Sequence, residues 1–148
     1  MSATAYQTAR ADQVQAATSD ARRVLNRAAE RKGTTLHNHV TDTWLRAQAQ
    51  ALTDALHAGT IRACFHLAGS PDVGHAAVWR PGLIVCADCT PALTPTTEED
   101  ATCDRCRRHA NPIHAGVMTV GPILLGYGLC RSCGTETGLV ASEGGCRG

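Results

Sequence analysis

The residues of this chain best suited to chemistry are cysteines that recur in pairs separated by two residues. A tight turn of that length lets two thiolates face one metal ion. Three such pairs follow a Cys-x-His half-site, and together these offer enough soft ligands for two tetrahedral zinc sites. The predicted metal ligands are Cys64, His66, Cys86, Cys89, Cys103, Cys106, Cys130 and Cys133.

An internal repeat indicates how these ligands pair. Each of two half-sites is followed by a short apolar stretch, a Gly/Pro turn, a second apolar stretch and a Cys-x-x-Cys pair. The repeat favours sequential pairing, with Cys64, His66, Cys86 and Cys89 in one site and the four later cysteines in the other. A nested pairing, which joins the two inner pairs, and a cross-braced pairing both remain open.

The histidine ligand of the first site has two candidates, His66 and His75. By the repeat, His75 corresponds to His114, which the second site does not need because it already has four cysteines. We therefore favour His66, whose position two residues after Cys64 puts both side chains on one face of an extended segment.

The pattern favours structural zinc over other cysteine chemistry. A redox Cys-x-x-Cys is expected as a single pair in a βαβ setting, and catalytic zinc needs an open coordination position. No H-E-x-x-H motif, nucleophile pattern or glycine-rich phosphate loop is present. We therefore expect no enzymatic activity, no small-molecule substrate and a cofactor of two zinc ions.

The composition is typical of a small protein whose fold is stabilised by bound metal. Aromatic residues make up only 3% of the 148 residues, and the net charge is +1. We find neither a signal-peptide pattern nor an apolar run that spans a membrane, so we expect a cytoplasmic location, where paired cysteines bind metal rather than form disulfides. The eighth cysteine, Cys146, lies in a glycine-rich tail and is predicted to be a spare thiol.

The predicted fold class is α+β, an N-terminal helical hairpin followed by two β-hairpin zinc-ribbon modules. Apolar residues at helical spacing predict two helices in residues 1–60, the second capped by Thr34 or Thr35 and ended by Gly59. Residues 61–134 predict tandem zinc ribbons, with hairpins turning at Pro81-Gly82 and Gly121-Pro122. Residues 135–148 read as a flexible tail.

The string CFHL…HAAVWRPGLIVCADC…CDRC…GPILLGYGLCRSCG, within residues 62–134, resembles small uncharacterised zinc-ribbon proteins of high-GC actinobacteria and their phages. The resemblance implies a zinc-ribbon fold and bound metal but no particular activity. Zinc ribbons often have glycine after the second cysteine of a pair. Cys133-Gly134 follows that pattern, whereas Cys89-Thr90 and Cys106-Arg107 depart from it.

Two functions fit a non-catalytic zinc module. Nucleic-acid binding, in transcriptional regulation for example, is suggested by a basic cluster around one Cys-x-x-Cys turn and its partner. That cluster comprises Arg105, Arg107, Arg108 and Arg131. The alternative is a protein-interaction adaptor that dimerises through the helices, using Leu45, Leu52 and Leu56, which repeat at helical spacing.

Overall fold

The structure is a computed structural model that describes residues 3–32, 42–67 and 72–140. Its architecture is α+β, with two N-terminal helices followed by short strands. The helices are α1 (Ala3–Lys32), α2 (Thr43–Ala58) and α3 (Arg131–Thr137). The strands are β1 (Arg62–Ala63), β2 (Gly74–Ala77), β3 (Leu83–Ile84), β4 (His114–Val120) and β5 (Ile123–Leu129). Among these helices, none combines the length and apolarity needed to cross a membrane.

The second predicted hairpin is confirmed. Strands β4 and β5 pair antiparallel in register from Val120–Ile123 to His114–Leu129. Their turn contains Gly121, whose φ of 57° lies in the left-handed region that glycine adopts without strain. Strand β5 also pairs on its other edge, in parallel, with β2, and is therefore the central strand of a three-stranded sheet.

The first predicted hairpin is only partly present. Strands β2 and β3 are joined antiparallel by a single bridge, in which His75 and Val85 exchange backbone hydrogen bonds of 2.7 and 2.9 Å. Strand β2 ends at Ala77, before the predicted turn at Pro81-Gly82, and the indole of Trp79 donates a 2.7 Å hydrogen bond to the carbonyl of Leu93. Strand β3 pairs instead with β1, in parallel.

Both predicted helices form, and both lie against the sheet. Helix α1 contacts β4 and β5, and it buries a stripe of small residues that includes Ala17, Ala21 and Ala29. Helix α2 contacts β4, where Leu45 enters the main core and the ring of Trp44 meets Tyr127 edge-on at a centroid distance of 6.1 Å. Helix α2 therefore shares the main core with the sheet, and α1 lies against two of its strands.

The ends of α2 confirm one prediction and correct another. Gly59 ends the helix with a φ of 71°, as predicted. The helix begins at Thr43, and the N-cap is Asp42, whose carboxylate accepts a 3.0 Å hydrogen bond from the amide of Leu45. Thr34 and Thr35, the predicted caps, lie outside the described residues.

The predicted tail overlaps an ordered segment. Helix α3 includes residues 135–137 and ends at Gly138, and the amide of Val140 donates a 3.0 Å hydrogen bond to the carbonyl of Gly134. A Cβ at Gly134 would lie 2.6 Å from the side chain of Val140, so this return of the chain requires glycine. Residues 141–148, including Cys146, lie outside the described residues.

The contact between Gly116 and Tyr127 gives a stability prediction. A Cβ at Gly116 would lie 2.5 Å from the buried ring of Tyr127, and that ring also holds Trp44 of α2. We expect Gly116→Ala to lower the free energy of unfolding by about 1–3 kcal/mol through overpacking. Urea unfolding of the zinc-loaded protein, followed by tryptophan fluorescence, measures the change.

The matched control is Ala115→Ser, on the exposed side of the same strand. It should change the free energy of unfolding by less than about 0.5 kcal/mol. Equal stability of the Gly116 and Ala115 variants would contradict the proposed close contact.

Candidate metal centres

The structure gathers the eight predicted ligands into two groups of four. Within the described residues, Cys64, His66, Cys86 and Cys89 form one group, site one. The other group, site two, consists of Cys103, Cys106, Cys130 and Cys133. In each group the ligand atoms lie within 4.8 Å of one another. Sequential pairing is thus the arrangement that the structure has, and the nested and cross-braced alternatives are wrong.

Individual distances fit tetrahedral coordination. The Sγ atoms of Cys106 and Cys130 are 3.9 Å apart. Nδ1 of His66 is 3.7 Å from Sγ of Cys86 and 3.4 Å from Sγ of Cys89. Zinc bonds of about 2.3 Å to sulfur and 2.0–2.1 Å to nitrogen give tetrahedral edges of about 3.8 Å between sulfurs and about 3.6 Å between nitrogen and sulfur. Each group can therefore hold one metal ion, and its donor atoms suit zinc.

Site one is positioned by the short parallel pair of β1 and β3. Cys64 directly follows β1, and its amide donates a 3.1 Å hydrogen bond to the carbonyl of Ile84 at the end of β3. This register brings Cys86 beside Cys64, whose sulfur accepts a 3.2 Å hydrogen bond from the Cys86 amide. His75, the rival candidate ligand, is held in its bridge with Val85 and is not part of the group.

Site two is built from a tight turn and the start of a helix. The turn is closed by a 2.9 Å hydrogen bond from the amide of Arg107 to the carbonyl of Cys103. Arg107 has a φ of 64°, so it adopts the left-handed conformation that glycine usually supplies at this position of a zinc-binding turn. Strand β5 delivers Cys130, which is the N-cap residue of α3, and Cys133 lies in that helix.

The repeat seen in the sequence is visible in the structure. Cys86 precedes a 3-10 helix over Ala87–Leu93 in the same way that Cys130 precedes α3. The second half-site of each group therefore opens a helical turn after a strand. The sites differ in their surroundings, since Cys103 and Cys133 belong to the main core, whereas Cys64 and Cys89 lie at the margin of a smaller cluster.

Backbone donors favour one thiolate in each group. Burial acts to raise the pKa of Cys64, but hydrogen bonds from the Cys86 amide and from His66 outweigh it and lower that pKa to about 6. Burial likewise opposes ionisation of Cys103, yet amide donation from Cys106, Cys130 and Arg105 lowers its pKa to about 7. Amide donors of this kind stabilise metal-bound thiolates.

The remaining thiols of each group resist ionisation without a cation. Hydrogen bonding with Cys86, together with burial, raises the pKa of Cys89 to about 11. Burial and the neighbouring thiols raise the pKa of Cys133 to about 12. A divalent cation reverses this effect, because its charge favours every thiolate that coordinates it.

Asp104, which sequence reasoning did not single out, fastens site two to the sheet. Its side chain is only 4% exposed, and Oδ2 accepts a 2.7 Å hydrogen bond from the amide of Gly128 in β5. Its own amide donates a 2.8 Å hydrogen bond to the Gly128 carbonyl. Burial raises the pKa of this carboxyl group despite the Gly128 donor. A single aspartate inside a Cys-x-x-Cys turn gives no sequence signal for this role.

The four arginines predicted to contact nucleic acid differ in their surroundings. Arg105 forms ion pairs with Glu136 of α3 and, at 3.8 Å, with Asp42 at the start of α2, and it is only 25% exposed. Arg105 therefore links the turn between Cys103 and Cys106 to α2 and α3. Arg107 is 70% exposed, with one oxygen of Asp104 3.8 Å from its guanidinium. Arg108 and Arg131 are exposed.

The leucines predicted to mediate dimerisation also differ. Leu45 is buried in the chain's own core and Leu52 packs partly against that core. Leu56 is 43% exposed. Two of the three leucines therefore already have an intramolecular role.

Comparisons with known proteins add nothing to the ligand geometry. No protein-family model, curated protein or solved structure matches the chain. The grouping of eight ligand atoms, which come from four separate segments of the fold, supports the two metal centres by itself.

Metal stoichiometry is the first prediction for these centres. The zinc-loaded protein should bind two ions, and Cys89→Ser and Cys106→Ser should each bind one, because each removes a ligand from a different group. Native mass spectrometry counts the ions directly. Cys146→Ser is the matched control and should retain two; loss of an ion from that variant would contradict the assignment of ligands.

The order in which the two sites release metal is the second prediction for these centres. Site one has partly or fully exposed ligands, whereas Cys103 and Cys133 of site two are buried, so a chelator reaches site one more easily. With excess chelator, we expect Cys106→Ser, which keeps site one, to lose its ion several times faster than Cys89→Ser, which keeps site two. Release is followed by time-resolved native mass spectrometry, and the reverse order would contradict this reasoning.

Proposed function

We propose that this protein is a zinc-stabilised, non-catalytic binding module with ribbon-like metal sites, and that its partner is a nucleic acid. The observation that carries the proposal is the closure of both ligand groups. Each offers four protein ligands at distances that match a tetrahedron, which leaves no coordination position for a substrate or an activated water. The metal then supports the fold, and function depends on the surface that the fold presents.

Exposed arginines favour a nucleic acid over a protein partner. In the predicted nucleic-acid cluster, Arg105 forms ion pairs with Glu136 and Asp42, whereas Arg107 is 70% exposed although an oxygen of Asp104 lies 3.8 Å from it, and Arg108 and Arg131 are exposed. Of the three leucines in the adaptor hypothesis, two pack within the chain itself. Structural evidence thus weakens the leucine surface more than the basic one.

The salt dependence of binding tests this proposal. Zinc-loaded protein should bind a fluorescent DNA duplex at low salt, as measured by anisotropy. With three phosphate contacts, affinity should fall by about 40-fold between 50 and 200 mM salt, since each contact releases a condensed counterion. Absence of binding at the lowest salt concentration would overturn the nucleic-acid proposal and leave the adaptor hypothesis.

A further inference from the structure

Strand β4 forms one edge of the three-stranded sheet. Strand β5 is paired on both sides, and the outer edge of β2 is met by the bridge between His75 and Val85. The outer edge of β4, in contrast, has no hydrogen-bonded neighbour in the part of the chain that the structure describes. This edge therefore presents free backbone donors and acceptors.

The hydrogen bonds of β5 show which groups of β4 point outward. Gly126 is directed away from β4, since its carbonyl accepts a 2.9 Å hydrogen bond from the amide of Val78. Hydrogen-bonded and non-hydrogen-bonded pairs alternate in an antiparallel ladder, so the residue opposite Gly126 is directed away from β5 in the same way. That residue is Val117, and the alternation adds one residue on each side of it. The outward residues of β4 are Ala115, Val117 and Thr119.

This edge lacks the features by which proteins usually protect an exposed strand, such as charges, proline or a bulge. The strand His114–Val120 contains no lysine, arginine, aspartate, glutamate or proline, and its register with β5 is unbroken. Helix α1 leaves the edge open, because Val117 lines the cleft between α1 and the sheet and is still 43% exposed. Ala115 is exposed as well. Such an edge can pair with a further strand.

We propose that β4 pairs antiparallel with β4 of a second copy of this chain, so that two three-stranded sheets become one continuous sheet. The outward residues are spaced symmetrically about Val117, which is the arrangement that a two-fold axis requires. With the axis at Val117, this residue lies opposite its own copy, and Ala115 lies opposite Thr119. Each outward residue then exchanges a pair of backbone hydrogen bonds with the residue opposite.

A second copy fits this edge better than an unrelated strand, because the symmetric register uses every outward group of both strands. No like charges meet, since the strand has no charged side chain of the four types named above, and the exposed Val117 side chains form an apolar cross-strand pair. Two strand edges bury a small area, so the dimer is weak and depends on protein concentration. The interface lies on the sheet and not on the leucines of α2, and it does not depend on nucleic-acid binding.

Sedimentation velocity of the full-length, zinc-loaded protein tests the inference. The average mass should rise towards that of a dimer between about 1 and about 500 μM protein, as expected of a small interface. Val117→Arg and Val117→Glu should each raise the dissociation constant at least about tenfold, because like charges then lie opposite one another at the axis. Thr97→Arg adds the same charge to an exposed turn away from β4 and should dimerise like the wild type.

Mixing the two charged variants tests the register itself. An equimolar mixture of Val117→Arg and Val117→Glu should form heterodimers, which native mass spectrometry resolves, because opposite charges then meet at the axis. Circular dichroism and metal count must match wild type in each variant. Amide hydrogen exchange of the wild type, followed by NMR, needs no substitution: protection of the Ala115, Val117 and Thr119 amides should increase with protein concentration, while that of Gly116 and Met118 should not change.

The inference is overturned if the wild type stays monomeric and its outward amides stay unprotected up to about 500 μM. Dimerisation of Val117→Arg as strong as that of the wild type would place the interface elsewhere. A mixture of the charged variants that remains monomeric would rule out a two-fold axis at Val117. Each of these results leaves the nucleic-acid proposal untouched, since that proposal is decided by duplex binding.

Discussion

Ionised thiols repel one another, and both metal-binding groups depend on how that repulsion is balanced. In site two, amide donors lower the pKa of Cys103, whereas burial and neighbouring thiols raise the pKa of Cys133. Four such ligands can all be ionised together only when a cation balances their charge. Since aromatic residues make up only 3% of the chain, little apolar burial is available to replace the stabilisation that metal provides.

Strand β5 connects site two to the rest of the fold. It pairs with β2 and β4, and its last residue, the fully buried Leu129, directly precedes the ligand Cys130. Gly128 in the same strand is bonded to Asp104 in the opposite ligand turn. Site two is therefore continuous with the main core, whereas site one is joined to the sheet through the His75–Val85 bridge and the smaller cluster around Ala77 and Val85. The two metal sites have similar sequence patterns, but they differ in burial because the sheet supports them to different extents.

The features that sequence predicted well are those that local residues determine. Cys-x-x-Cys spacing is fixed within one turn, so the cysteine ligands followed from it, whereas their sequential pairing was favoured by the internal repeat. The β4–β5 hairpin followed from Gly121 and its flanking strands. Features that depend on contacts between distant parts of the chain were not predicted from the sequence. Nothing near Gly74 indicates that β2 lies parallel to β5, with Gly74 opposite Ile123. The ion pairs of Arg105 likewise depend on where two helices dock.

Metal binding and the position of α1 are linked through the sheet on which this helix docks. The helix buries alanines such as Ala17 and Ala21, and small side chains contribute little apolar area each. Its position therefore depends on the sheet, and the sheet depends on ligand turns that metal stabilises. Loss of metal should therefore loosen the contact between α1 and the sheet as well as the ligand turns themselves.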